Sequence, residues 1–396
     1  MNQFTPKTSD RFFLRVYGRL KSSFPFQVFL LFQVVVTLIF LLAPKIFPSS
    51  GQFMFADQSQ KPAWLWNRAN FDGVHFFSIA QNGYGLYQQA FFPLYPLVTR
   101  FLGRFLGGQS LLAGWLVSFF SLGVGLEVFF RLLKVDWPEK TAQQTILFLL
   151  FFPTSFFFSL IYSESLFFLL AVSTIYLARK KHWFWALVTC ALATATRLQG
   201  ISLIPTLIFL FYQSKKRTKK DFVKVIGASL GITSLGSLGF LGYLFYLNSR
   251  YGDPLLFAHV QPFFGANRSS GKLILLYQVF WRYLKMITTL SPNNWLYFIV
   301  WLEFGVAIFF LTLLLLALKK KKFWSYLVFA WPSFLLPTLT GTFSSLPRYV
   351  LMLFPGFIML ALQTAKRPIL KRAYFVLSLG LFLICQTLFA LGYWVS

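Results

Sequence analysis

Long apolar runs follow one another along this chain, and the short connections between them are rich in lysine and arginine. About 20 apolar residues carry a helix across the hydrocarbon core of a bilayer, and a span in lipid must satisfy its own backbone hydrogen bonds. The pattern predicts an all-α polytopic membrane protein. Runs at 24–42, 110–133, 141–156, 159–178, 183–196, 200–212, 222–247, 295–318, 323–340, 348–364 and 373–394 make eleven expected transmembrane helices, within roughly 8–12 for runs of borderline length.

Only 12% of the 396 residues are Asp, Glu, Lys or Arg, about half the share in a soluble domain, which excludes a soluble enzyme. The 37 basic and 10 acidic residues give a formal charge of +27. These cations lie in short runs between apolar blocks instead of on one soluble face, so they argue for membrane topology and against a nucleic-acid partner. Cys190 and Cys385 lie inside apolar runs without ligand spacing, so neither a disulfide framework nor a metal site is expected.

Five cations, Lys7, Arg11, Arg15, Arg19 and Lys21, precede the first span and place segment 1–23 in the cytoplasm. No small-residue cleavage site follows Leu42, so that helix is expected to stay uncleaved. The connections carrying Lys134 and Lys140, Arg179 to Lys181, Lys215 to Lys220, Lys319 to Lys322 and Lys366 to Arg372 all fall inside only if segment 90–107 does not cross. Its two prolines, Pro93 and Pro96, and its Arg100 and Arg104 suit a helix along the outer surface. Two external loops then remain, 43–109 and 248–294, in a single domain 1–396. Loops of this length usually carry function.

The acidic residues are few enough to weigh singly. Asp10, Asp136, Glu139 and Asp221 stand beside lysines or arginines as solvated pairs, and Glu127 lies one turn from Arg131. Glu303 lies inside a span with no evident sequence partner and is a functional candidate on that ground. Asp72 and His75, early in the first external loop, are three residues apart and share a helical face. That spacing fits a base with an orienting partner. It fits equally an aspartate that caps its own helix.

The stretch Asp72-Gly73-x-His75-Phe76, followed by Ile79-Ala80-x-x-Gly83-Tyr84 and Ala90-Phe91-Phe92-Pro93-Leu94-Tyr95-Pro96, resembles mannosyltransferases of the phosphatidylinositol-glycan class V (PIG-V) type, which are polytopic GT-C glycosyltransferases. Later stretches extend the resemblance: Pro153-Thr154-Ser155-Phe156 through Tyr162-Ser163-Glu164-Ser165-Leu166-Phe167, Ala195-Thr196-Arg197-x-x-Gly200, Gly252-Asp253-Pro254 through Phe257 and Gln261, and Leu346-Pro347-Arg348-Tyr349 through Phe354-Pro355. The chain departs from the pattern at Phe71, where the family often has Trp, and at Val74, where it has an acidic or aromatic residue. The resemblance implies a GT-C fold with juxtamembrane helices in the first external loop. It also implies a polyprenyl- or dolichyl-phosphate-mannose donor and a catalytic role for Asp72.

A lipid-linked phosphate needs an apolar groove for its chain and cations for its charge, and arginine suits the phosphate because its planar fork grips oxygens in pairs. Arg197 and Arg348, at the outer ends of spans, are the donor candidates; the alternative is a pair of interfacial anchors. Asp72 would remove the proton from an acceptor hydroxyl as it attacks the anomeric carbon. One displacement inverts that centre, and neither metal nor cofactor is obligatory. Glu164 and His75 are acceptor or orienting candidates, and Asp253, His259 and Gln261 mark a substrate loop. The acceptor is expected to be a glycan or glycolipid. A prokaryotic plasma membrane is the favoured setting, with the endoplasmic reticulum as runner-up. The competing class is a transporter or lipid flippase, which would show internal repeats and charges at mid-membrane.

Overall fold

The structure is a computed structural model that describes residues 23–49, 62–215, 219–266, 268–269 and 272–395, without the side chains of 219–224. The basic N-terminal segment, part of the first long loop and the centre of the Lys215 to Lys220 connection lie outside the described residues. Every described element is helical. The main helices are α1 (Phe24–Ile46), α2 (Asp72–Asn82), α3 (Leu94–Phe105), α4 (Ser110–Asp136), α5 (Glu139–Leu150), α6 (Glu164–Arg179), α7 (Trp183–Thr194), α8 (Leu203–Gln213), α9 (Lys219–Gly236), α10 (Leu238–Tyr251), α11 (Leu276–Thr289), α12 (Trp295–Leu318), α13 (Trp324–Thr338), α14 (Phe354–Thr364) and α15 (Pro368–Ala390).

By length and composition, α1, α4, α12 and α15 can each cross a bilayer; α9 with α10, bent by 48°, and Leu346–Met352 with α14, bent by 78°, can do so as broken spans. The other five expected spans correspond to α5, α6, α7, α8 and α13, which have 12, 16, 12, 11 and 15 residues. At about 1.5 Å per residue they fall short of the hydrocarbon thickness. The run at 141–156 shows why apolar length overstates helix length. Pro153 forbids continuation, so α5 stops at Leu150, and Ser155–Ser159 turns as a buried 3₁₀ segment before α6 begins.

Between apolar helices in lipid, close packing replaces hydrophobic burial as the cohesive force. A Cβ on Gly114 of α4 would lie 2.6 Å from Ile161 Cγ2, and one on Gly239 of α10 would lie 2.0 Å from the Ala191 carbonyl of α7. Only glycine permits these approaches. On α1, Phe29, Phe32, Val36 and Phe40 are buried, and this helix packs on α4 and α15.

The two ends of the bundle differ chemically. At one, Asp136 accepts hydrogen bonds from Arg179 and Tyr326 while Lys322 reaches the Asp136 carbonyl, joining three basic connections. Helix α6 runs from there back to Glu164, a length of about 22 Å at the helical rise. Segment 90–107 forms α3, whose Tyr95, Thr99 and Gly103 are buried and whose Leu97, Phe101 and Phe105 are exposed. Such a stripe suits the membrane surface. Arg100, expected at the interface, turns inward instead: its Nε and Nη2 donate to the carbonyls of Ala80 (2.7 Å) and Ile79 (2.8 Å), capping α2.

Candidate active site

Asp72 and Glu164 each occupy the first turn of their helices, α2 and α6, where the helix dipole favours a carboxylate. The residue at the N-cap position of α2 is Phe71, not Asp72, so the capping alternative does not describe this aspartate. Phe71 has φ +56°, a left-handed conformation that costs a bulky residue energy. Gly73 follows because the start of α2 is pressed against Tyr162: an added Cβ would lie 3.0 Å from the Tyr162 ring. The Tyr162 hydroxyl donates to the Asn70 carbonyl at 2.6 Å.

Arg348 arrives from the far end of the chain on the short helix Leu346–Tyr349. Ser345 before it also has positive φ, +67°, so both turns that present the site hold strained backbone. Thr154 Oγ1 donates to the Pro347 carbonyl, tying two of the sequence motifs together. Arg348 Nη1 lies 2.7 Å from Asp72 Oδ2, and its Nε lies 3.1 Å from Glu164 Oε1. Arg197 Nη1 approaches the same Glu164 oxygen at 2.6 Å and Ser163 Oγ at 3.2 Å. The two arginines flank the Tyr349 ring, 4.9 Å and 5.2 Å from its centroid. Gly200 permits the fold-back that follows Arg197, since a Cβ there would meet the Ala193 carbonyl at 2.5 Å.

These groups line a cavity of about 240 Å³ together with Phe91, Gln199, Gln261, Arg268 and Ser344. Its two carboxylates are unequal: the Glu164 side chain is 1% exposed and that of Asp72 is 29%. Asp72 is the one a substrate can reach. Burial raises the pKa of its carboxyl, but the charge and hydrogen bond of Arg348, with the charges of His75 and Arg268, together outweigh burial and hold it below the usual carboxylate range. It is ionised at neutral pH.

The remaining sequence candidates divide. Gln261 lines the cavity. His75 does not: its ring stacks on Phe91 at 4.9 Å with Phe264 edge-on at 5.5 Å, and its buried Nδ1 has no hydrogen-bond partner among the described residues. Burial lowers the His75 pKa against the opposing charge of Asp72. Arg348, not His75, is thus the observed partner of Asp72. Asp253 and His259 pair with each other at 2.7 Å, and the His259 hydrogen bond lowers the Asp253 pKa. Both lie outside the cavity lining, and His259 lines a neighbouring groove with Tyr84, Tyr87 and Phe263. Glu303 on α12 finds its partner in Tyr283 of α11, whose hydroxyl also accepts from the Phe343 N–H at 3.1 Å and lies 3.2 Å from Thr342 Oγ1. Sequence reasoning passed over Arg268, one of several cations in segment 248–294 with no motif to single it out.

A family model for mannosyltransferases (PIG-V) matches residues 26–254. The chain belongs to the PIG-V mannosyltransferase family. The PIG-V match includes Asp72, Glu164 and Arg197 and ends before Gln261, Arg268 and Arg348. No curated protein matches the chain. Among solved structures, ArnT from Cupriavidus metallidurans bound to undecaprenyl phosphate is similar at 14% identity and a TM-score of 0.49, over 85% of this chain and 60% of that one. The Archaeoglobus fulgidus oligosaccharyltransferase in complex with Zn and sulfate is similar at 12% identity and a TM-score of 0.47, over 92% of this chain and 53% of that one. The chain therefore spans less than two thirds of the length of either.

Proposed function

We propose that this integral membrane protein transfers a mannosyl group from a polyprenyl- or dolichyl-phosphate donor to a hydroxyl of a glycan or glycolipid, with inversion at the anomeric carbon. The carrying observation is a reachable Asp72 carboxyl in one cavity with the guanidinium groups of Arg348, Arg197 and Arg268. A carboxylate able to take a proton stands beside cations able to receive a phosphate. This is the division of labour that displacement of a phosphate leaving group requires.

In the proposed reaction the acceptor hydroxyl attacks the anomeric carbon and passes its proton to Asp72. The bond between that carbon and the phosphate oxygen breaks, and its electron pair leaves with the phosphate. Arg348 links the two halves of the step. Drawn toward the phosphate as its leaving oxygen gains charge, it would relax its hold on Asp72 and raise the basicity of the carboxylate. Glu164, between Arg348 and Arg197, keeps both guanidiniums in place. The site lies at the end of the bundle away from the basic connections, which we assign to the outer face of a prokaryotic plasma membrane.

The test is the lipid-linked glycan profile of a deletion strain. Loss of a mannosylated species, restored by the wild-type chain and not by Asp72→Asn, is the expected result. An unchanged profile in the deletion strain would overturn the proposal.

A further inference from the structure

Charge accounting within the cavity singles out one arginine. Three guanidiniums and two carboxylates line it, Arg197, Arg268 and Arg348 against Asp72 and Glu164, which leaves one positive charge uncompensated among these groups. Arg348 is committed to Asp72 and Glu164, and Arg197 to Glu164 and Ser163. Both are packed over aromatic rings. Arg268 forms no ion pair within 4.0 Å and no ring contact among the described residues, its charge reaching Asp72 and Glu303 only through space; its Nη2 makes only long contacts, 3.4 Å to Ser344 Oγ and 3.5 Å to Ser345 Oγ. We propose that Arg268 is the residue that captures the phosphate of the lipid-linked donor. The inference rests on the polyprenyl-phosphate reading above and names the cation that selects for it.

The backbone on both sides of Arg268 is held in place. Arg282 of α11 donates from Nη2 to the Ala266 carbonyl and from Nη1 to the Gly341 carbonyl, each at 2.9 Å. The Ser269 N–H donates to the Thr340 carbonyl at 2.9 Å. These bonds fasten the segment to the end of α13, so the guanidinium stands at a defined place on the cavity wall beside the hydroxyls of Ser344 and Thr340. A sugar phosphodiester carries a single negative charge at neutral pH, which matches the excess. A guanidinium not already paired gives up no existing ion pair to bind it. Arg197 or Arg348 would have to break one.

The test uses the purified full-length protein in detergent, with farnesyl phosphate and farnesol as probes of the same chain length. Wild type should bind the phosphate more tightly than the alcohol. Arg268→Ala should weaken farnesyl phosphate binding by about tenfold or more, the scale of one lost charged contact, and leave farnesol binding unchanged. Arg268→Lys should show a smaller loss, because it keeps the charge without the fork. If Arg268→Ala is poorly folded by its melting curve, Arg268→Gln takes its place. Equal phosphate affinity in wild type and the folded variant would overturn the assignment to Arg268 and leave the donor reading standing. No preference for phosphate over alcohol in wild type would overturn both.

Discussion

Replacing Asp72 with Asn keeps the shape of the side chain and removes its basicity. Activity is expected to fall by about 10²-fold or more with the melting temperature little changed; a fully active Asp72→Asn enzyme would move the base elsewhere in the cavity. The pH dependence is a second handle on the same residue. Arg348 holds the Asp72 carboxyl below its ordinary pKa, so the acid limb of kcat/KM should lie below the usual carboxylate range. In Arg348→Gln burial is opposed only by the smaller effects of His75 and Arg268, and the limb should move to higher pH. A limb that stays put would show that Arg348 does not govern this ionisation. Linkage has the matching sign: a depressed carboxylate adds stability above its unfolded pKa, and that contribution disappears as pH falls through the folded one. Asp72, Glu164, Arg197 and Arg348 were legible in the sequence because each stands in a motif shared with the PIG-V pattern and falls in an expected external loop or near the expected outer end of an apolar run. Arg268 was not, since Arg250, Lys272, Arg282 and Lys285 share its loop and only the folded structure shows which cation faces the carboxylates.

Two pairs of helices determine how the site-bearing loops are held. Arg100 on α3 closes the C-terminal end of α2 with two charged hydrogen bonds. Arg100→Ala should therefore destabilise the protein by about 1 to 3 kcal/mol, read as a lower melting temperature; no change would mean that water replaces the guanidinium without loss. Between α11 and α12, Glu303 and Tyr283 hold the turn that leads into Ser345 and Arg348. Tyr283→Phe should lower activity and cost about 1 to 2 kcal/mol through the unpaired Phe343 N–H and Glu303 carboxylate. Full activity in a stable Tyr283→Phe protein would restrict the pair to a packing role. The sequence marked Glu303 as unusual but could not name its partner, because Tyr283 lies on a different helix and hydroxyl pairing leaves no periodic trace. Helix lengths were misread for a related reason. Hydropathy continues across Pro153 into a buried 3₁₀ turn, whereas the hydrogen-bonded helix does not.

At the scale of the whole molecule, Asp136, Arg179 and Lys322 cluster at one end of the bundle and the cavity lies at the other, and the parity of the basic connections predicts which end is cytoplasmic. Reporters fused after Lys181, Lys220 and Lys322 should read cytoplasmic, and one within 250–272 should read external. An external reading after Lys220 would break the parity. The ion pair at the centre of the cavity joins residues 276 positions apart. At ordinary rates of synthesis, about 5–20 residues per second, the arginine follows the aspartate by roughly 15 to 55 s. Throughout that interval the nascent chain carries Asp72 without the guanidinium that pairs with it, whereas Glu164 gains Arg197 early. The N-terminal portion must therefore enter the membrane with its acidic centre open to water or headgroups. The cavity is completed last, and a chain ended before residue 348 lacks the arginine that completes it.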